Sequence, residues 1–166
     1  WPSVRLALWT GGTSTMLSLL IVTLFFAGWI GTPGFDRFQR AISPLLSIPH
    51  VTAAFGIAFL LAPSGWILRL LSPWLTGFDR PPDMAFPQDP DGLALILGLV
   101  VKEVPFLFLM MLTAHGQVDW RRQMQAARSM GYGRAAYWLK GVFPQIYPQI
   151  RLPVLAVLAF GVSVVD

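Results

Sequence analysis

Residues 93–114 read LALILGLVVKEVPFLFLMMLTA, an apolar run interrupted only by Lys102, Glu103 and Pro105. As a helix this run is about 33 Å long at a rise of 1.5 Å per residue, which matches the roughly 30 Å hydrocarbon core of a bilayer. Gaps of similar size recur in both directions. Nothing ionises between Arg5 and Asp36, only His50 can between Arg40 and Arg69, and nothing does between Arg151 and Asp166. The spacing predicts spans over about Leu8–Ile30, Leu45–Leu68 and Leu93–Ala114, and a fourth that starts at Leu152 and reaches Asp166 short of full length. The expected fold is all-α, a polytopic transmembrane helix bundle with about four spans in one partial transmembrane domain, 1–166. Trp1 lacks a preceding initiator Met and a basic leader, so both ends are expected to be cut from a longer chain.

Hydrophobic residues make up 55% of the 166 and charged residues 12%, against roughly 45–50% and 25% in soluble domains. With a net charge of +4 a nucleic-acid partner is conceivable, but the basic residues gather in one loop, as the positive-inside rule produces, so no nucleic acid is expected. The absence of cysteine excludes disulfides and thiolate metal sites. With two His and no HExxH, GxSxG or phosphate-loop pattern, the chain carries no recognisable catalytic, cofactor or nucleotide site, and is not expected to be an enzyme. The seven Trp and twelve Phe read as interface anchors and packing residues.

Loop charge gives sidedness. His115–Arg151 holds six basic residues against Asp119 alone, while Ser72–Gly92 holds four Asp against Arg80. The first is expected in the cytoplasm and the second outside. Prolines 73, 81, 82, 87 and 90 make the outer segment irregular. A short polar connector, Phe35–Ser43, follows the Gly31-Thr32-Pro33-Gly34 break. The second span is entered through Pro44 and Pro49 and interrupted near its far end at Pro63-Ser64-Gly65. His50 is expected to be packed or snorkelling rather than a ligand.

Within the basic loop, Asp119 stands where it can cap a helix on which Trp120, Met124, Ala127 and Met130 recur at helical spacing, opposite Arg121, Arg122, Gln125 and Arg128. Gly131 suits a left-handed position after the last turn, and Gly133 lets the chain enter a second helical piece, Arg134–Val142. Pro144 and Pro148 are expected to form an elbow into the fourth span.

Gln125-Ala126-Ala127, then Gly131, then Phe143-Pro144 resemble the EAA loop of binding-protein-dependent ABC importer permeases. That pattern is Glu-Ala-Ala, three residues, Gly, nine residues, Ile, one residue, Leu-Pro. Ala126, Ala127, Gly131 and Pro144 match it in spacing, whereas Gln125, Gly141 and Phe143 replace Glu, Ile and Leu. The resemblance covers essentially the whole chain. It implies a permease subunit in the bacterial inner membrane, coupled through 115–151 to ABC ATPase subunits that bind the ATP. It also implies a second permease half and an extracytoplasmic substrate-binding protein as partners. Gln125, Ala126, Ala127, Gly131, Tyr132, Gly133 and Pro144 would form the coupling loop. The other reading of the loop is an ordinary interfacial amphipathic helix.

Lys102 and Glu103 lie about 14–15 Å into their span, close to the midplane, where each costs roughly 2.5–3.5 kcal/mol. Neighbouring helical residues point about 100° apart, so the two cannot satisfy only one another. With Pro105, which frees the carbonyl of Val101, they read either as part of a translocation path or as a structural link between helices. Two rivals to ATP-driven import stand beside it: a secondary transporter driven by an ion gradient through Glu103 and Lys102, and a membrane scaffold without transport of its own.

Overall fold

The computed structural model describes residues 1–83 and 89–164. The middle of the Ser72–Gly92 segment and the His50 side chain, for which expectations were stated above, lie outside the described residues. The described residues are helical, with no strand: α1 (Pro2–Trp29), α2 (Pro33–Ile42), a 3-10 turn (Ser43–Ser47), α3 (His50–Leu61), α4 (Trp66–Leu71), α5 (Leu93–His115), α6 (Trp120–Ser129), α7 (Arg134–Tyr137), a π-helical turn (Trp138–Val142) and α8 (Phe143–Ser163). Three helical stretches are long and apolar enough to cross a membrane: Pro2–Trp29, Leu93–His115 and Arg134–Ser163.

α1, α5 and α8 pack on one another and form the core. At the α6 end the core is aromatic. Phe26 and Trp138, both fully buried, stack with ring centroids 4.9 Å apart, and Phe108 lies 5.1 Å from Phe26. At the other end small residues replace rings. A Cβ on Gly11 would lie 2.6 Å from the backbone nitrogen of Val162, and one on Gly161 would lie 3.0 Å from Gly11 Cα. α1 and α8 therefore touch backbone to backbone, the close approach that small residues permit between helices in lipid.

The connector between the first two apolar stretches is itself helical. Thr32 caps α2: Pro33 follows at the first helical position, and the amide of Phe35 donates to Thr32 Oγ1 at 3.3 Å. Phe35 and Ile42 are buried while Asp36, Arg37 and Arg40 are exposed, so α2 is amphipathic.

The stretch expected as a second span, 45–68, is divided into the 3-10 turn, α3 and α4. Pro49 stops the turn and Pro63 separates α3 from α4, since neither ring can donate to a helix ladder. α3 has 12 residues, about 18 Å, less than the bilayer core. Its outer side is apolar and bare, with Phe55 72% exposed and Phe59 63%.

The fourth apolar stretch departs from expectation in the opposite way. No elbow forms at Pro144 and Pro148; α7, the π turn and α8 make one helix, Arg134–Ser163. Pro144 has no N–H for the carbonyl of Lys140, and its ring needs space there. The π turn supplies it, with the amide of Phe143 reaching back five residues to the carbonyl of Trp138. The segment Arg134–Val142 is thus continuous with the last long helix and not set off from it by an elbow.

Gly11→Val should lower the apparent melting temperature of the protein in detergent, by an overpacking cost of about 1–3 kcal/mol. Gly12→Ala, where an added Cβ meets nothing within 4 Å, should leave it unchanged or raise it slightly, since alanine suits a helix interior better than glycine. Equal behaviour of the two variants would contradict the backbone contact.

Candidate functional site

The candidate residues fall into two groups, one in the middle of α5 and one on α6, beyond its end. In the middle, Glu103 is 4% exposed. Its Oε1 accepts from Ser14 Oγ at 3.0 Å and its Oε2 from Ser18 Oγ at 2.8 Å. The two serines are four residues apart on α1 and so stand one above the other on the face that meets α5. Lys102, one residue earlier and turned by about 100°, serves another element. Its Nζ donates to the carbonyl of Leu45 at 3.3 Å and to that of Ile48. Pro49 explains why a carbonyl is free there, because a continuing helix would have matched Leu45 O with the N–H that proline lacks.

Lys102 and Glu103 therefore join α5 to two elements at once, the 3-10 turn on one side and α1 on the other. Both also line a cleft of about 430 Å³ whose remaining wall is apolar, including Leu46, Leu99, Phe106 and Phe160. Pro105 is buried within α5, which continues through it to His115. Nothing in the sequence reading identified Ser14 and Ser18 as partners. The available signal was two hydroxyls four residues apart in an uncharged span.

At the end of α5, α6 closes as the glycine spacing predicts. Gly131 has φ +81°; its amide donates to Arg128 O at 3.0 Å and that of Tyr132 to Ala127 O at 2.9 Å. This is the paired bonding of a Schellman motif. Asp119 occupies the N-cap position but makes no capping bond with its side chain. Its carboxylate instead lies 3.4 Å from Arg122 Nε.

α6 presents three faces. Met124 and Ala127 are buried, with Trp120 and Gln123 half-buried beside them. Arg121, Gln125 and Arg128, at the same four-and-three spacing, line a second cleft together with the α1–α2 turn, the end of α5 and Arg134. Arg122, Ala126, Ser129 and Met130 point away from both and are exposed, as are Gly131, Tyr132 and Gly133. Met130, grouped with the apolar face in the sequence reading, is 68% exposed. Pro144, the remaining residue of the matched pattern, lies on the last span beside the π turn and is exposed.

α6 is held by polar contacts the sequence did not announce. Tyr137 Oη donates to Trp120 O at 3.1 Å, and Gln145 Nε2 donates to Gln123 Oε1 at 3.3 Å. Arg134 Nη1 donates to Gly28 O at 2.9 Å, meeting one of the carbonyls that the end of α1 leaves free. No group of three or more metal-ligating side chains occurs among the described residues.

A double-mutant cycle reads the Glu103 contacts directly. Ser18→Ala should cost about 1–3 kcal/mol in the native background, by leaving a buried carboxylate oxygen short of a donor, and close to nothing in a Glu103→Ala background. Thermal unfolding of the four proteins in detergent measures it. Additive effects would mean that Ser18 acts independently of the carboxylate.

No family model matches the chain. No solved structure matches it either. Over 169 aligned residues, 99% of this chain, it is 30% identical to the inner membrane ABC transporter permease protein YnjC of Escherichia coli (strain K12). The chain spans 30% of the length of that relative. A likeness carried along the whole chain, together with three helical stretches of spanning length among the described residues, makes this a helical, multi-pass inner-membrane protein that is similar to part of an ABC transporter permease.

Proposed function

We propose that the chain forms part of the permease subunit of an ATP-driven ABC importer and that α6 with its following turn is the element that couples to the ATPase. The observation carrying this reading is the division of labour on α6. One side is anchored through Met124, Ala127 and the Tyr137 hydroxyl, while Ala126, Met130, Gly131, Tyr132 and Gly133 stand free at the outer tip. An element that transmits movement needs a firm attachment to the spans and an accessible surface of small or apolar groups for the partner. Likeness to a protein named as an ABC transporter permease favours this over an ion-gradient carrier or a scaffold.

The partners that follow are ATPase subunits, which bind and hydrolyse the ATP, a second permease half and an extracytoplasmic substrate-binding protein. In this reading the chain itself catalyses nothing. Lys102 and Glu103 border the translocation path through the cleft between the 3-10 turn, α5 and α8, with Pro105 buried in the same helix beside them. Their bonds to α1 and to the turn would be remade as the helices shift between outward-open and inward-open arrangements.

Gly131→Val should uncouple ATP hydrolysis from transport while the spans stay inserted. An added Cβ meets no neighbour, so the cost is conformational, on the order of 1–2 kcal/mol for a branched residue held at positive φ. Ala126→Asp should act by placing a carboxylate in the contact. Co-purification of the ATPase and vesicle transport assays measure both effects; normal assembly and transport in both variants would reduce α6 to a surface helix.

Sidedness is tested with single cysteines, since the chain has none. An impermeant thiol reagent applied to intact cells should label Asp79→Cys and leave Tyr132→Cys unlabelled. The reverse pattern would remove α6 from the cytoplasm and the coupling proposal with it.

A further inference from the structure

The cleft beside α6 has a volume of about 600 Å³. Arg121 and Arg128 stand on its α6 side and Arg134 opposite, with Asp36 of α2 as the one carboxylate in the lining. Asp36 leaves this wall with an excess of two positive charges. Arg122 and Asp119 form the one ion pair among the described residues, so no carboxylate is close enough to pair with the three lining arginines. Arg121 rests over the Trp120 ring, 5.6 Å from its centroid, and Arg134 reaches Gly28 O.

His115 lies in the same lining. It is 5% exposed, and its Nδ1 is buried with no hydrogen-bond partner. The imidazole is packed among the Phe26, Trp120 and Trp138 rings, so it closes the inner wall of the cleft and does not offer that nitrogen to a ligand. Much of the rest of the lining is apolar, including Phe35 of α2 and Met124 of α6, with Ile30 and Leu112 at the ends of α1 and α5.

We propose that this cleft binds the phosphate headgroup of an anionic phospholipid. Three arginines, two on α6 and one at the start of the last long helix, beside apolar side chains at the ends of α1 and α5, are the kind of basic pocket that holds such headgroups. A lipid is favoured over a soluble phosphate by α1. Leu17, Leu20 and Leu24 are exposed and continue at helical spacing to Gly28 in the last turn of α1, whose carbonyl is met by Arg134 of the cleft. That stripe is a path for an acyl chain from the cleft into the bilayer. The lipid would brace the Arg121–Gln125–Arg128 side of α6 against the α1–α2 turn, leaving the Ala126–Met130 side free, so that lipid composition would tune how firmly the coupling element is held.

The proposal rests on α6 lying at the membrane surface, as the proposed function has it. It is tested without ATPase or transport, so a failure here leaves the coupling proposal standing. The full-length protein in neutral detergent is titrated with short-chain phosphatidylglycerol, with diacylglycerol of the same chain length and with glycerol phosphate, and apparent affinity is read from the thermal shift. Saturable stabilisation by phosphatidylglycerol alone is expected. The Arg121→Gln/Arg128→Gln double variant should bind about 25-fold more weakly, at about fivefold per arginine. Arg122→Gln, outside the cleft, should bind normally, and Asp36→Asn should bind a few-fold tighter. A full shift with glycerol phosphate would overturn the lipid assignment, and a full shift with diacylglycerol would overturn the role of phosphate. Unchanged affinity in the double variant would overturn the site. Should that variant fail to fold, Asp36→Asn decides: affinity unchanged or weakened overturns the proposal.

Discussion

A carboxylate and an ammonium near the middle of a bilayer have to be met by polar partners, and adjacent positions on one helix turn Lys102 and Glu103 about 100° apart, so each needs a partner elsewhere. The bundle is arranged around that requirement. Glu103 draws the Ser14–Ser18 face of α1 against α5, and Lys102 draws in the carbonyls around Pro49. The backbone contact of Gly11 with the Gly161 region lies in the same layer: a Cβ on Gly161 would stand 3.6 Å from both Glu103 Oε1 and Ser14 Oγ. Close approach of α1 and α8 thus helps keep the carboxylate from lipid.

At the α6 end the organising forces differ. Aromatic rings from α1, α2, α5 and the π turn fill the core, and polar side chains then tie the loop helix to it. Tyr137, Gln145 and Arg134 all belong to the helix that continues as the last span. A shift of α6 would therefore be felt first by that helix, and the π turn at Trp138–Val142 lies between the attachments at Arg134 and Tyr137 and the one at Gln145. Such turns are a recognised place for a helix to change its winding. Trp138 occupies it fully buried and stacked on Phe26.

Proline had different consequences at different positions, and local sequence did not distinguish them. Pro49 and Pro63 ended helices, whereas Pro105, Pro148 and Pro153 lie inside α5 and α8. The lost hydrogen bond is the same in each case. What differs is the neighbourhood. Around Pro105 and Pro153, helices on more than one side hold the chain in register, while α3 and α4 have little more than α5 and each other to lean on. The connector 35–43 reads as merely polar for a related reason: Phe35 gains its value as a buried side chain only once Phe26 and Phe108 are beside it.

The sequence by itself determined the membrane character, the position of α5, the left-handed turn at Gly131 and the buried apolar pair on α6. Each depends on local quantities: apolar length against bilayer thickness, the backbone freedom of one residue, and the period of a single helix. Only the tertiary structure decided that Ser14 and Ser18 serve Glu103 across 85 to 89 residues of chain, that Arg134 meets the end of α1, and that Pro144 is absorbed in a widened turn instead of an elbow. Polar pairing in lipid depends on which helix faces which, and at what height. Hydropathy, which sums along one segment at a time, contains no term for that.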